Sequence, residues 1–259
     1  MLCHVAGVVP ITTADIDDLV CTAVFFAGCN FRCPFCFSSD ILDFKQDFSK
    51  DIRIVKQQIE RNFPFVDAVL FCGGEPTLQK PVLINLAAFA KEKGMKVAIE
   101  TNGSKPNVLR ELLDKHLVDY IILDLKSPLN TDNMTKTLRP LSTFFFTIDD
   151  ILASIKETMA LLKKRRDDVG LIIRTTVVPM LTYRKEHFLE MAYDIKDLDA
   201  VWELRPFVNA SSVVSPRFKE TNPPSSEFLR GLKKVCLAEY PDMRIRIKRY
   251  DTDCNFCRD

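Results

Sequence analysis

Three thiols, Cys29, Cys33 and Cys36, crowd into the run Gly28 to Cys36, which reads GCNFRCPFC and has CxxxCxxC spacing. So short a run makes a poor disulfide framework, because one thiol stays unpaired and the closed loops are tiny. A metal accounts for the spacing better. Soft thiolates select zinc, copper(I) or iron–sulfur clusters, and a structural zinc ion wants four ligands where the local sequence offers three. Three protein ligands on a [4Fe–4S] cube leave one iron open, and an open coordination position belongs to a metal that does chemistry. A structural zinc site, or buried free cysteines, is the alternative.

The elements that must position these thiols alternate between strand-like and helix-like periodicity. Leu19 to Ala27 is a short apolar run rich in β-branched and aromatic residues, a buried strand that delivers the chain into the cysteine loop. Ser49 is placed to cap a helix in which Ile52, Val55, Ile59 and Phe63 recur at helical spacing, and Ala68 to Cys72 is the next strand, ending in Gly73-Gly74-Glu75. Pro81 opens a helix that Gly94 closes, and strand Lys96 to Ile99 ends in Glu100-Thr101-Asn102. A helix after Pro106 leads to strand Tyr120 to Leu125, with Asp124 and Lys126 at its end. Residues Ser127 to Thr147, with Phe144 to Phe146, fit no element. Helix Asp150 to Arg166, strand Leu171 to Val178 with Arg174, helix Arg184 to Lys196 and strand Val201 to Phe207 with Glu203 and Arg205 follow.

Repeated strand–helix units with apolar strands imply a parallel sheet with right-handed crossovers. The fold expected is therefore α/β, a partial (β/α)6 barrel over residues 1–208. A C-terminal appendage, 209–259, consists of a helix around Glu227 to Leu237 and an alternating strand Met243 to Tyr250. The motifs of the first four units fall at the C-terminal ends of their strands, where (β/α) barrels build active sites.

The cysteine run, with Phe35 before its last thiol, resembles the radical S-adenosylmethionine (SAM) enzymes. Gly73-Gly74-Glu75-Pro76 is similar to that family's GGEP motif, Glu100-Thr101-Asn102-Gly103 to its ETNG segment and Leu123-Asp124-Leu125-Lys126 to its DLK strand end. Within the family the resemblance is to glycyl-radical-enzyme activases of the anaerobic ribonucleoside-triphosphate reductase activating type, over roughly Ile11 to Phe207. It implies a [4Fe–4S] cluster on Cys29, Cys33 and Cys36 whose open iron chelates SAM, with Phe35 against the adenine. Gly73 and Gly74 would let backbone approach the ligand, with Pro76 completing the motif, and Glu75 would offer its carboxylate to the SAM ammonium group. Glu100, Thr101 and Asn102 would face the ribose and methionine end, and Glu100 with Asp124 would hold a monovalent cation. Lys126 and Arg174 would meet the SAM carboxylate or the substrate backbone. Without the resemblance, GGEP is a turn with a solvated glutamate, ETN a capping cluster, and the two cations ordinary ion-pair residues.

The chain also departs from the activase pattern. Phe37-Ser38 stands where His-Asn often follows the third cysteine, Val208 where a histidine can serve the adenine, and Asp15-Ile16-Asp17-Asp18 where an aspartate-aromatic-proline-glycine segment usually precedes the first strand. The resemblance implies an electron donor, flavodoxin or ferredoxin, and a glycyl radical enzyme as protein substrate. A small-molecule or peptide substrate, and a non-catalytic metal-binding protein, are the rival readings.

Composition narrows the class. In 259 residues, 47% hydrophobic content suffices for a real core. Lys+Arg 36 against Asp+Glu 35 gives a net charge of +1, so no global field steers the chain to nucleic acid or anionic membrane. The apolar run Leu19 to Ala27 falls far short of the roughly 20 residues a spanning helix needs. A soluble, cytoplasmic protein is expected, in surroundings reducing enough to keep nine cysteines as thiols or ligands. Cys254 and Cys257 form a terminal CxxC, half a zinc site or a redox pair. His4, His116 and His187 sit in no motif.

Overall fold

The computed structural model describes residues 1–141 and 147–248. Phe144 to Phe146, the pair Cys254 and Cys257, and the end of the strand expected over Met243 to Tyr250 lie outside the described residues. The elements are β1 (Leu2–Thr12), β2 (Cys21–Phe26), β3 (Ser49–Asp51), α1 (Ile52–Asn62), β4 (Ala68–Gly73), α2 (Lys80–Glu92), β5 (Lys96–Thr101), α3 (Pro106–Asp114), β6 (Tyr120–Asp124), α4 (Thr131–Leu138), α5 (Ile148–Lys164), β7 (Gly170–Val177), α6 (Lys185–Ile195), β8 (Ala200–Pro206), α7 (Pro216–Lys219), α8 (Ser226–Glu239) and β9 (Arg244–Ile247).

All nine strands join one sheet in the order β3-β1-β2-β4-β5-β6-β7-β8-β9. From β2 to β9 every neighbouring pair is parallel, as the alternation of strands and helices requires. The strand of the appendage, β9, adds to β8 in the same sense, with Val201 opposite Arg244. Side chains alternate along each strand, so one face carries Ala23, Ala68, Leu70, Cys72, Ala98, Ile122 and Ile172, and packs around Ile16. The other carries Val24, Phe26, Val69, Phe71, Val97, Ile99, Leu123 and Trp202 against the helices.

The small inner face goes with curvature. Asp17 pairs with Arg246 and Lys248 at β9, yet it lies only four residues before Cys21, the start of β2. Four residues span at most about 14 Å. Between β2 and β9 there are six strand intervals, which at about 4.8 Å each would put β9 about 29 Å away in a flat sheet. The sheet is therefore rolled into a partial barrel, and the β1–β2 loop lies across its open side.

Two local expectations are corrected. Ser49 does not cap α1; it pairs with His4 in β3, and the Asp51 side chain caps the helix by accepting from Arg53 N. Phe63 is 42% exposed, in a turn after α1 rather than on its buried stripe. The sequence reading also lacked β1. Its run of β-branched residues was hidden by Pro10, which falls within the register irregularity between Val9 and Thr12, where a proline is tolerated. Gly94, with φ +80°, ends α2 as expected.

Candidate active site

The cysteine loop leaves β2 at Phe26 and has almost no regular structure of its own, so its backbone groups must find partners elsewhere. For Ala27 through Arg32, four neighbouring segments supply them. Ala27 N donates to His4 O at 3.0 Å, and Gln79 Nε2 donates to both His4 O and Ala27 O, at 2.8 and 3.0 Å. Gly28 N and Cys29 N donate to Ile41 O and Leu42 O at 2.8 and 2.9 Å. Arg32 N donates to Leu138 O at 3.0 Å, and Leu141 N donates to Asn30 O at 3.2 Å. The stretch Ser127 to Thr147, unplaced by periodicity, thus contains α4, whose C-terminal end lies on the cysteine loop. The GGEP segment is the fourth neighbour: Gly74 N donates to Phe26 O and Glu75 N to Gly28 O, both at 2.8 Å.

That last contact gives the two glycines their physical reason. A Cβ on Gly74 would stand 2.2 Å from Gly28 O, and one on Gly73, which has φ +107°, would stand 2.6 Å from Phe26 O. The space they leave is occupied by the start of the cysteine loop, not held open for a ligand. Glu75 likewise turns inward. It is fully buried; its Oε1 accepts from Thr77 N at 3.1 Å, Thr77 Oγ1 at 2.5 Å and Thr101 Oγ1 at 2.8 Å, and its Oε2 accepts from Asn102 N at 2.7 Å. Burial outweighs these bonds and holds its carboxyl above the ordinary value. Asn102 continues the chain of contacts, donating to Asn30 Oδ1 at 3.0 Å in the cysteine loop, while Asn30 donates to Ser104 Oγ at 2.9 Å.

The thiols share an environment. Burial raises all three, Cys29 to about 12, and Cys33 and Cys36 in the same direction. Each is pulled the other way by Lys126, and Cys29 Sγ accepts from Phe31 N at 3.4 Å. Among the described residues no three of His, Cys, Asp and Glu converge tightly enough to surround one ion. Thiolates bound to separate irons of a cube stand farther apart than those on a single zinc. Three thiols on one loop, each in the field of Lys126 and Cys36 also in that of Arg32, with a backbone N–H at a sulfur, fit a polynuclear anionic group that drives their deprotonation on binding.

Lys126 is held by Asp124 at 2.7 Å. Burial alone would depress the ammonium, but Asp124 and Cys33 outweigh it and raise it above its ordinary value. The backbone there is fixed from β7, Leu125 N donating to Arg174 O at 2.9 Å and Thr175 Oγ1 donating to Leu125 O at 2.7 Å. Arg174, 4% exposed, reaches Glu100 Oε2 and Glu203 Oε1 at 2.9 Å each, and Asp15 at 3.6 Å. Glu100 and Asp124, read from the sequence as sharing a monovalent cation, each have a protein cation, Arg174 and Lys126. Glu203 also receives Arg205 at 2.5 Å and Arg246 at 2.6 Å, so the alternating pair Glu203 and Arg205 shares the barrel interior. Phe35 is 6% exposed and packs within the main core.

Sequence reasoning missed Asn30, Gln79 and Asp15 as contributors. Asp15 was visible only as a departure from a familiar segment; its partners Arg174 and Arg205 lie far along the chain.

A sequence model described as the Radical SAM superfamily matches residues 23–192. A Methanocaldococcus jannaschii protein classed among glycyl-radical enzyme activating enzymes is 31% identical over 244 residues, covering 93% of this chain and 95% of its own. The pyruvate formate-lyase-activating enzyme of Clostridium pasteurianum is 31% identical over 192 residues, covering 72% and 74%. Among solved structures, a radical SAM methyltransferase from Sphaerobacter thermophilus superposes with a TM-score of 0.67 at 13% identity, over 89% of this chain and 68% of that one, a likeness of fold alone.

Proposed function

Because this chain belongs to the radical SAM superfamily, as an enzyme of the glycyl-radical-enzyme activase type, we propose that it generates a glycyl radical on an anaerobic ribonucleotide reductase. The observation that carries the site reading is a single loop bearing Cys29, Cys33 and Cys36, all within the field of Lys126, tied through Asn30 to Asn102 and so to Glu75. The family's cofactors are a [4Fe–4S] cluster and SAM. Bound there and given one electron, they would supply the chemistry that removes a hydrogen atom from a neighbouring C–H, with methionine and 5′-deoxyadenosine as products.

The residues of this chain bind, orient and exclude water. Cys29, Cys33 and Cys36 would hold the cluster, and Lys126 would balance their charge. Gly73, Gly74 and Pro76 set the GGEP strap against the loop, and Glu75 fixes Thr101 and Asn102 at the end of β5, so those groups meet the cofactor in one orientation. Arg174 holds Glu100 in place at the floor. Phe35 would face the adenine. A flavodoxin or ferredoxin supplies the electron, in a reducing compartment such as the cytoplasm; no helix among the described residues is long and apolar enough to cross a membrane.

A glycine suits the proposed target, since the lack of a side chain permits close approach and its radical delocalises into the flanking amides. The test mixes reduced protein, SAM and an anaerobic ribonucleotide reductase from the same organism. A glycyl doublet in electron paramagnetic resonance, with 5′-deoxyadenosine formed alongside, is expected. Deoxyadenosine without a protein radical on any native reductase overturns the activase target.

A further inference from the structure

The run Ala210 to Ser215 falls in the stretch read from sequence as an appendage, yet it reaches the cysteine loop at three points. Val214 N donates to Cys36 O and Ser215 N to Pro34 O, both at 3.0 Å, and Ser212 Oγ donates to Phe37 O. The accepting carbonyls bracket and include the third cysteine. Within the loop this end is held by Cys36 N donating to Cys33 O at 3.0 Å and by the Ser38 N–H at the Cys36 sulfur, which leaves the carbonyls of Pro34, Cys36 and Phe37 to the run. The run is itself anchored. Val213 is 2% exposed, and Ser215 leads into α7, where Phe218 is 4% exposed and meets Phe207 edge-on at 5.7 Å between ring centroids. Phe218 N closes the turn onto Ser215 O at 2.9 Å.

The first cysteine has a comparable tie, Cys29 N to Leu42 O. From this pairing of an irregular, thiol-bearing loop with an anchored donor run, we propose that Ala210 to Ser215 is a positioning strap that fixes the backbone at Cys36 and thereby the direction of its Sγ toward the cluster. The inference rests on Cys36 being a cluster ligand. None of the strap residues is itself a ligand; they act through the carbonyls of Pro34, Cys36 and Phe37.

Two variants test it, Val214→Pro, which deletes the N–H, and Ser212→Ala, which deletes the hydroxyl without touching the backbone. In apoprotein, the rate at which iodoacetamide labels Cys36 relative to Cys29 is followed by mass spectrometry; in reconstituted protein, the rate of iron loss to a chelator. Val214→Pro should raise both about fivefold, the worth of one net hydrogen bond, and Ser212→Ala should raise both by less. If the proline variant does not fold, the alanine variant decides. Wild-type labelling ratio and iron release in the folded variants overturn the strap. Cys36→Ala is the separate control: full iron retention there would sink the ligand assignment instead, so the two failures are told apart.

Discussion

Thr101 Oγ1 donates to Glu75 Oε1 at 2.8 Å, tying the end of β5 to the turn that follows β4. Glu75→Gln replaces an oxygen surrounded by donors with an amide that must point N–H groups at N–H or O–H groups. The expected loss of stability is about 1–3 kcal/mol, seen in chemical denaturation of the apoprotein. SAM affinity in calorimetry should fall with it while iron content holds, because Thr101 and Asn102 lose their anchor and no thiol is touched. Undiminished stability would mean that the four hydrogen bonds are not made in solution.

Gly74→Ala and Gly231→Ala form a matched pair. At Gly74 the new methyl carbon meets Gly28 O at 2.2 Å, whereas at Gly231, inside α8, nothing lies within 4 Å. The first should destabilise by about 1–3 kcal/mol through overpacking. The second should stabilise by about 0.5–1 kcal/mol through helix propensity. Thermal melts of both apoproteins provide the comparison, and equal shifts would contradict the contact.

Arg174→Met removes the cation shared by Glu100 and Glu203 and strands Glu100, while Glu203 keeps Arg205 and Arg246. A destabilisation of about 3–5 kcal/mol is expected. If Arg174 served a cofactor rather than the barrel interior, the apoprotein would keep its stability and only SAM binding would suffer; denaturant midpoints separate these outcomes.

Glu203 contributes to the pH dependence of the interior. Burial raises its carboxyl, but Arg174, Arg205 and Arg246 outweigh that and hold it below the ordinary 4.5. A depressed acid contributes stability that is present above the unfolded value and lost as pH falls through the folded one. Apoprotein stability should therefore drop as pH falls below about 4.5, and more shallowly in Glu203→Gln, whose neutral-pH stability is already lower. Parallel pH profiles for the two proteins would remove Glu203 from the acid response.

Cys33→Ala should abolish the absorbance near about 400 nm and the binding of about four irons per chain on anaerobic reconstitution. Full iron incorporation would show that the ligand set lies elsewhere.

What the sequence determined by itself was whatever depends on near neighbours along the chain. The three thiols need only one loop to come together, and the alternation of β-branched runs with helical stripes is written within windows of a dozen residues, so the cysteine loop and the parallel barrel could both be read before any coordinates. Tertiary structure decided the rest, because the deciding contacts join residues far apart in sequence. Glu75 meets its partner Asn102 across 27 positions, Arg174 meets the backbone of Asp15 across 159, and Ser212 meets Phe37 across 175. A carboxylate reads the same in sequence whether it is open to a ligand or closed upon hydroxyls and amides. Only the rolling of the sheet turned Glu75 inward, placed Arg174 between two acids and brought a run beyond β8 onto the backbone of the third cysteine.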